Sequence, residues 1–251
     1  MGAPKPHGSR LAVVTGSGLG TKILAGGHPR TVATSRGPLT IEEHTGCNQR
    51  EQDGVIVIRR HGIADFTPAH RLNHHRTIEG IAAAGCDRVL ALNSVGSLRA
   101  DWPVGTLVAV DDFVAPWVTL SFYDDERGHS VPGIDAGWRA QVVATWRDVS
   151  DIAIIDGGTY VQTTGPRFET PAEIRWFATF ADVIGMTMAS ECILAREAGL
   201  SYASICIVDN FANGIAGQAL SVEAYTSAIN DNAARLAPDL EALVSRLATT
   251  H

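Results

Sequence analysis

Polar and charged side chains follow several apolar runs in this sequence, at points where strands are expected to end. Arg60 and His61 come directly after one such run, and Asn93 and Ser94 come after another. Arginine forms paired hydrogen bonds to phosphate or carboxylate oxygens, and hydroxyl and amide groups supply further hydrogen bonds to an anion. A solvated charge cluster is the alternative interpretation of Arg60 and His61. Under the anion hypothesis, the candidate phosphate ligands are Ser17, Arg60, His61, Asn93, Ser94 and Thr187.

A second group of side chains suits a flat heterocyclic ring. Phe168 offers a stacking face, Glu169 offers a carboxylate acceptor, and Asn210 offers an amide that both donates and accepts. The sequence has no GxxxxGK[S/T] motif of the kind that holds the phosphates of a nucleoside triphosphate. A phosphate bound beside a heterocycle, without that motif, indicates that inorganic phosphate is itself a reactant.

The apolar runs predict the strands and helices that hold these groups. Val89–Leu92 and Tyr202–Val208 are nearly continuous apolar runs, which is typical of strands inside a parallel sheet, and we expect the strands to stop there. Thr170 and Glu173 form a capping box that starts a helix. Open α/β sheets bind ligands at the carboxyl ends of their strands. We therefore predict a single-domain α/β fold with three α/β/α layers and a mixed, mostly parallel central sheet.

Composition excludes several other classes of protein. The chain of 251 residues carries a net charge of −7, which argues against a nucleic-acid partner. No apolar run approaches the roughly 18 residues of a membrane span. The cysteines show no CxxC or zinc spacing, which favours free thiols in a reducing cytoplasm. We expect residues 1–10 to form a flexible tail and residues 11–251 to form one domain, with no metal and no cofactor.

The order of the motifs resembles that of the trimeric purine nucleoside phosphorylase and methylthioadenosine phosphorylase family. The matches extend over roughly residues 11–216, which is nearly the whole chain. GPRFET followed by GMT is the most specific of them. The matching segments are GSGLG at 16–20, RHG at 60–62, NSVGS at 93–97, GTYVQTTGPRFET at 158–170, GMT at 185–187 followed by Glu191, and VDN at 208–210.

The resemblance implies reversible phosphorolysis of a purine nucleoside, which yields the free base and a pentose 1-phosphate. Phosphate would stabilise a sugar that becomes cationic as the glycosidic bond stretches, and an amide hydrogen bond to N7 would stabilise the anionic purine. Asn210 and His61 would be the catalytic residues. The resemblance assigns the substrate to Tyr160, Phe168, Glu169, Met186, Asp209, Asn210 and His129.

The residues at the base site resemble the 6-oxopurine branch of that family, which carries Glu and Asn where Glu169 and Asn210 stand. A carboxylate accepts the N1–H of a 6-oxopurine but meets only a lone pair on adenine N1. We therefore expect inosine or guanosine as substrate. Asp209 would offer an acceptor to an amino group. His129 would line either a 5′-hydroxyl or a 5′-methylthio pocket, so a 5′-methylthionucleoside is the alternative substrate.

Two further readings stay open at this point. A nucleosidase would use water in place of phosphate, and a non-catalytic nucleoside-binding protein would use the same fold without chemistry. The convergence of Ser17, Arg60 and His61 favours a phosphate site over both. The resemblance also implies a homotrimer or a dimer of trimers.

Overall fold

A mixed sheet of eleven strands lies between helices in the computed structural model, which describes residues 10–16, 19, 22–44, 54–63, 65–215, 217 and 220–249. The strands are β1 (Leu11–Thr15), β2 (His28–Val32), β3 (Leu39–His44), β4 (Val55–Arg59), β5 (Arg88–Ser97), β6 (Leu107–Ala109), β7 (Asp112–Val114), β8 (Ile154–Asp156), β9 (Thr159–Gln162), β10 (Val183–Gly185) and β11 (Ser201–Phe211). The α-helices are α1 (His74–Ala83), α2 (Ala136–Val149), α3 (Pro171–Phe177), α4 (Met188–Glu197) and α5 (Val222–Thr249), and short 3₁₀ turns occupy Ala69–Arg71 and Glu126–Gly128.

The long strand β5 is the centre of the sheet. It pairs in parallel with β1 on one side and with β11 on the other, and its last residues pair antiparallel with β10. From β1 the sheet continues through β4, β3 and β2, and from β10 it continues through β9 and β7. The carboxyl ends of β1, β4, β5 and β11 therefore meet at one edge.

Side chains alternate along the central strands and enter two separate cores. Ala12 and Val14 pack with α1 and α4, whereas Leu11 and Val13 pack with α2 and α5. This alternation is the period-two pattern of a sheet covered on both faces. The predicted three-layer α/β/α fold and mixed, mostly parallel sheet are confirmed.

Two of the predicted strand ends are wrong. The strand expected to stop at Leu92 continues to Ser97, and the strand expected to stop at Val208 continues to Phe211. These extensions pair with each other, with a register shift between Val208 and Asn210. Polar residues were interpreted as loop signals, but backbone pairing between the two strands keeps them in the sheet.

The predicted start of α3 is confirmed. The Thr170 hydroxyl accepts a hydrogen bond from the Glu173 backbone N–H, and the Glu173 carboxylate accepts one from the Thr170 N–H. Pro171 occupies the first helical position, where its missing N–H costs nothing. This cap fixes the end of the loop that carries Phe168 and Glu169.

The predicted tail extends one residue too far. Arg10 donates hydrogen bonds to the carbonyls of Gly54 and Ala84 and to Glu43, so it belongs to the folded part of the chain. Residues 1–9 lie outside the described residues. None of the helices in the described part of the chain has the length and apolar character needed to cross a membrane.

Candidate active site

A cavity of about 110 Å³ opens at the edge where the central strands end. Nine of the predicted phosphate- and substrate-binding residues line it, although they come from five separate segments of the sequence. The fold thus gathers both predicted groups of side chains around one space. The nine are Arg60, His61, Asn93, Ser94, Phe168, Glu169, Met186, Thr187 and Asn210.

Arg60 is held in the cavity wall by a buried ion pair with Glu191 of α4. Arg60 Nε donates to Glu191 Oε1 at 2.5 Å and Nη2 donates to Oε2 at 2.9 Å. The Tyr202 hydroxyl donates a third hydrogen bond to Oε2. Burial alone would raise the pKa of Glu191, but the charge and hydrogen bonds of Arg60 outweigh burial and hold the pKa below its usual range. Both groups are therefore charged at neutral pH.

The third guanidinium nitrogen of Arg60, Nη1, lies next to Gly16, which also lines the cavity. A Cβ atom built on Gly16 would come within 2.9 Å of Arg60 Nη1 and within 3.9 Å of the Ser94 nitrogen. A side chain at position 16 would therefore fill the space between Arg60 and Ser94. Ser17, the predicted ligand next to Gly16, lies outside the described residues.

His61 lies beside Arg60 with its ring fixed on two sides. Nδ1 is 2.8 Å from the Thr67 carbonyl, so this nitrogen carries the proton and donates, and the ring stacks on Phe66 at 5.2 Å. Burial lowers the pKa of His61, with Arg60 adding to the effect. The free imidazole is therefore neutral at neutral pH, and an anion bound nearby would favour its protonated form.

Asn93 supports Thr187 from behind. Asn93 is 2% exposed, its amide donates to the Ser204 hydroxyl at 2.8 Å, and its carbonyl oxygen accepts from the Thr187 hydroxyl at 3.3 Å. Thr187 precedes the first turn of α4, so the positive end of the helix dipole also faces this part of the cavity. Asn93 thus orients Thr187, one of the predicted phosphate ligands, and also lines the cavity itself.

Glu169 and Asn210 lie together at the other part of the cavity. Glu169 is 8% exposed, and its Oε1 accepts a hydrogen bond of 2.6 Å from the Thr163 hydroxyl. Asn210 donates one amide hydrogen to the Phe211 carbonyl at 2.7 Å. A carboxylate keeps further acceptor sites after one hydrogen bond, and an amide nitrogen keeps a second hydrogen. Both side chains can therefore still bind a ligand.

Three predicted substrate-binding residues do not line the cavity. Tyr160 is buried, and its hydroxyl accepts hydrogen bonds from the backbone N–H groups of Thr187 and Met188. Tyr160 therefore holds the start of α4 and does not touch the substrate side. His129 is exposed at the end of a 3₁₀ turn and does not line the cavity. Asp209 is 3% exposed, accepts a hydrogen bond from Asn232 of α5, and lines a separate small cavity.

Other residues of the site were not foreseen as such. Tyr225 of α5 packs its ring edge against Phe168 at 5.6 Å and places its hydroxyl 3.4 Å from the Ser94 hydroxyl. Leu220 and Asn213 also line the cavity. Glu191 carried a sequence signal, since a lone carboxylate inside the apolar helix MASECILA requires a buried cation. The sequence around Tyr225 and Leu220 carries no comparable signal.

His74 adds an acid-sensitive group behind the ion pair. It is buried, with Nδ1 3.9 Å from Glu191 Oε1. Burial lowers the pKa of His74 from 6.5 to about 4, so the folded protein disfavours its protonation. The stabilisation is complete above pH 6.5, the unfolded value, and is lost as the pH falls towards 4.

Replacing His74 with glutamine is expected to reduce the loss of stability on acidification. The drop in the free energy of unfolding between the two pKa values should become smaller by about 2–3 kcal/mol, because one proton no longer binds preferentially to the unfolded chain. Urea denaturation at a series of pH values measures it. His70→Gln, at an exposed histidine in the same segment, is the control. Equal pH slopes in the two variants would contradict the assignment.

Comparison with known proteins agrees with this arrangement. The model of the family described as "Phosphorylase superfamily" matches residues 10–248. The chain belongs to the phosphorylase superfamily. The matched range includes all eleven strands, the first four described α-helices, α5 up to its last residue, and both groups of cavity residues.

Individual relatives of this phosphorylase carry two kinds of name. A "Probable 6-oxopurine nucleoside phosphorylase" from Archaeoglobus fulgidus is 36% identical over 193 residues, which is 77% of this chain and 79% of the relative. A "Probable S-methyl-5'-thioinosine phosphorylase" from Methanosarcina acetivorans is 32% identical over 247 residues, which is 96% of this chain and 92% of the relative.

A solved structure shows the same fold. Methylthioadenosine phosphorylase from Schistosoma mansoni, in complex with adenine, superposes with a TM-score of 0.83 at 23% identity, covering 97% of this chain and 93% of the other. At this identity the likeness concerns the fold of the phosphorylase, and the expected phosphorylase-like architecture is confirmed.

Proposed function

We propose that this phosphorylase cleaves 6-oxopurine nucleosides, such as inosine and guanosine, with inorganic phosphate. The observation that carries the proposal is the placement of Arg60 and Glu169 in one cavity, each largely buried and held by partners of its own. A buried cation suits phosphate, and a buried carboxylate acceptor suits the N1–H of the base. The names of the relatives support the same reading.

The proposed reaction follows from the position of the phosphate-binding residues at one end of the cavity and the base-binding residues at the other. A phosphate held by Arg60, Ser94 and Thr187 would attack C1′ of the sugar as the C1′–N9 bond breaks. The electron pair of that bond passes to the purine, and an amide hydrogen of Asn210 would stabilise the negative charge at N7. The anionic phosphate would stabilise the positive charge that develops on the sugar. The products are a free purine and a pentose 1-phosphate.

His61 would assist at the phosphate end. The Thr67 carbonyl fixes its tautomer, so Nε2 is the nitrogen available to the substrates. Burial lowers the pKa of His61 and the charge of Arg60 adds to the effect, so the ring stays neutral until an anion binds. In this scheme Arg60, Ser94 and Thr187 bind the phosphate, and Glu169 and Asn210 bind the base. The chemistry that we propose therefore uses phosphate as co-substrate and requires no metal or organic cofactor.

The base preference rests on Glu169 and Asn210. A charged carboxylate facing the lone pair of adenine N1 would leave a buried acceptor unpaired, which costs about 1–3 kcal/mol. The difference favours 6-oxopurines by roughly ten- to a hundredfold. Both names carried by the relatives denote 6-oxopurine substrates, because S-methyl-5′-thioinosine and inosine share the base hypoxanthine.

The 5′ substituent of the sugar separates two candidate functions. Leu220, Tyr225 and Phe168 give the cavity an apolar wall that suits a 5′-methylthio group. The name of the Methanosarcina relative points the same way. S-methyl-5′-thioinosine is therefore the second candidate substrate, with inosine and guanosine as the first.

A panel of nucleosides assayed with and without phosphate tests this function. We expect base release from inosine or from S-methyl-5′-thioinosine to require phosphate and to exceed release from the matching adenosine by at least about tenfold. Liquid chromatography of the released base and of the pentose 1-phosphate measures both. Equal rates without phosphate would identify a nucleosidase, and no product from any nucleoside would identify a binding protein.

We further propose that the protein acts as a homotrimer in the cytoplasm. Trp176 is 58% exposed and Phe180 is 38% exposed, and both rings pack on the buried Phe177, so two aromatic rings face solvent near the cleft that Trp176 shares with Glu169. An exposed aromatic cluster of this kind suits burial against a second copy of the chain. Light scattering of the purified protein determines its mass in solution.

Cys86, Cys192 and Cys206 are free and buried, as a reducing compartment allows.

A further inference from the structure

Tyr225 of α5 reaches both ends of the active-site cavity, and the proposed reaction gives its hydroxyl no role. That hydroxyl lies 3.4 Å from the Ser94 hydroxyl, which belongs to the phosphate end. At the base end, the ring of Tyr225 meets the Phe168 ring edge-on, with 5.6 Å between the ring centroids. All three side chains line the same cavity. Tyr225 therefore lies alongside the space between phosphate and base, where the sugar of a nucleoside must bind.

The start of α5 fixes Tyr225 in this position. The Ser221 hydroxyl accepts a hydrogen bond from the Ala224 N–H, and the Tyr225 N–H donates to the Ser221 carbonyl. Asn232, seven positions after Tyr225, donates to the Val208 carbonyl of β11. Residues seven positions apart lie on the same face of a helix. The face of α5 that contacts β11 therefore also carries Tyr225, and it directs this side chain to the edge of the sheet where the cavity opens.

The hydroxyl of Tyr225 keeps the capacity to bind a ligand. Hydroxyl groups that form a good hydrogen bond are about 2.7–2.8 Å apart, so the contact of 3.4 Å with Ser94 is a weak one. Each of these two hydroxyls has one hydrogen and two acceptor lone pairs. A hydroxyl group of the substrate can therefore donate to Tyr225, or accept from it, without breaking a strong hydrogen bond.

The stereochemistry of the substrate decides which of its hydroxyls lie near Tyr225. In a β-nucleoside, the base and the 5′-carbon project from one face of the sugar ring, and the 2′- and 3′-hydroxyls project from the other. A phosphate that displaces the base arrives on the face opposite to it, which is the face of the 2′- and 3′-hydroxyls. Ser94 is a phosphate ligand in the proposed reaction, so the Tyr225 hydroxyl next to it lies on that face as well.

We propose that Tyr225 is a specificity-determining residue whose hydroxyl binds the 2′,3′-diol of the sugar, so that the enzyme selects ribonucleosides over deoxynucleosides. This inference rests on the proposed phosphorolysis. The diol loses water when it enters the cavity, and a hydroxyl left without a partner there costs about 1–3 kcal/mol. The ring of Tyr225, at the Phe168 side, is left to contact the 5′ substituent. Inosine and S-methyl-5′-thioinosine carry the same diol, so Tyr225 serves either substrate in the same way.

Tyr225→Phe removes the hydroxyl and keeps the ring. We expect kcat/KM for inosine and for S-methyl-5′-thioinosine to fall by about tenfold, because the diol loses its partner. The loss should shrink to about twofold or less for 2′-deoxyinosine or for 3′-deoxyinosine, whichever lacks the hydroxyl that Tyr225 binds. 5′-Deoxyinosine, which keeps the diol, should lose as much as inosine. Steady-state rates of base release under saturating phosphate measure all five nucleosides.

Ser227→Ala is the matched control, because it removes an exposed hydroxyl from α5 two residues after Tyr225; it should leave every rate unchanged. Equal losses on inosine and on both deoxynucleosides in the Tyr225 variant would overturn the inference, since the hydroxyl would then not bind the diol. A loss that shrinks only for 5′-deoxyinosine would overturn it too, as would an unchanged rate on inosine. Failure of the proposed function is separate, because wild type would then release base equally well without phosphate.

Discussion

Replacing Glu169 with glutamine is expected to lower kcat/KM for inosine by about ten- to a hundredfold, with a far smaller loss, or a gain, for adenosine. The Thr163 hydroxyl donates to Glu169 Oε1, so the amide oxygen of the variant should stay with Thr163. The new NH₂ group then faces the base. It opposes the N1–H of hypoxanthine but matches the lone pair of adenine N1.

Parallel assays of inosine and adenosine under saturating phosphate measure this change. Glu126→Gln is the matched control, because Glu126 is an exposed carboxylate in a 3₁₀ turn outside the cavity. The KM for phosphate should stay close to the wild-type value in the Glu169 variant, since Arg60 and Ser94 are untouched. A loss of equal size on both nucleosides would show that Glu169 does not discriminate between the bases.

Replacing Glu191 with glutamine is expected to lower the free energy of unfolding by about 3–5 kcal/mol, because Arg60 would remain buried without a balancing charge. Glu191 is fully buried, and the Arg60 side chain is 3% exposed. The KM for phosphate should rise as well, since the carboxylate holds the guanidinium in place by two of its nitrogens. Urea denaturation and phosphate-dependent kinetics measure the two effects.

An exposed ion pair supplies the control for Glu191. Asp125 pairs with Arg127 at 2.7 Å, but both side chains are largely exposed, so Asp125→Asn should leave the denaturation midpoint nearly unchanged. Replacing both Arg60 and Glu191 with methionine should restore much of the free energy of unfolding, because no buried charge is then left unpaired. The double variant should still not use phosphate, because the guanidinium of Arg60 is gone. Equal midpoints for the Glu191 and Asp125 variants would show that the buried pair does not stabilise the fold.

The sequence by itself determined the class of fold and the chemical character of the site. Local patterns are enough for this, because the apolar runs Val89–Leu92 and Tyr202–Val208 and the capping box at Thr170 depend on neighbouring residues. The types of residue at Arg60, Glu169 and Asn210 likewise indicated a phosphate beside a heterocycle. The structure places all three around one cavity.

Only the tertiary structure decided which polar residues face the cavity and which support it. Asp209 and Asn210 are neighbours in sequence and were predicted to lie in one loop. β11 continues through both, with a register shift between Val208 and Asn210, and in this arrangement Asn210 lines the cavity while Asp209 accepts a hydrogen bond from Asn232 of α5.

Which carboxylate pairs with Arg60 could likewise not be predicted from the sequence. Glu191 lies 131 positions away, and its carboxylate meets the guanidinium because α4 packs against the sheet beside β11. The role of Tyr160 could not be predicted either, since its hydroxyl accepts hydrogen bonds from the backbone N–H groups of Thr187 and Met188. Such assignments depend on hydrogen-bond partners from distant segments. Packing of the helices on the sheet brings those partners together, and no local pattern encodes them.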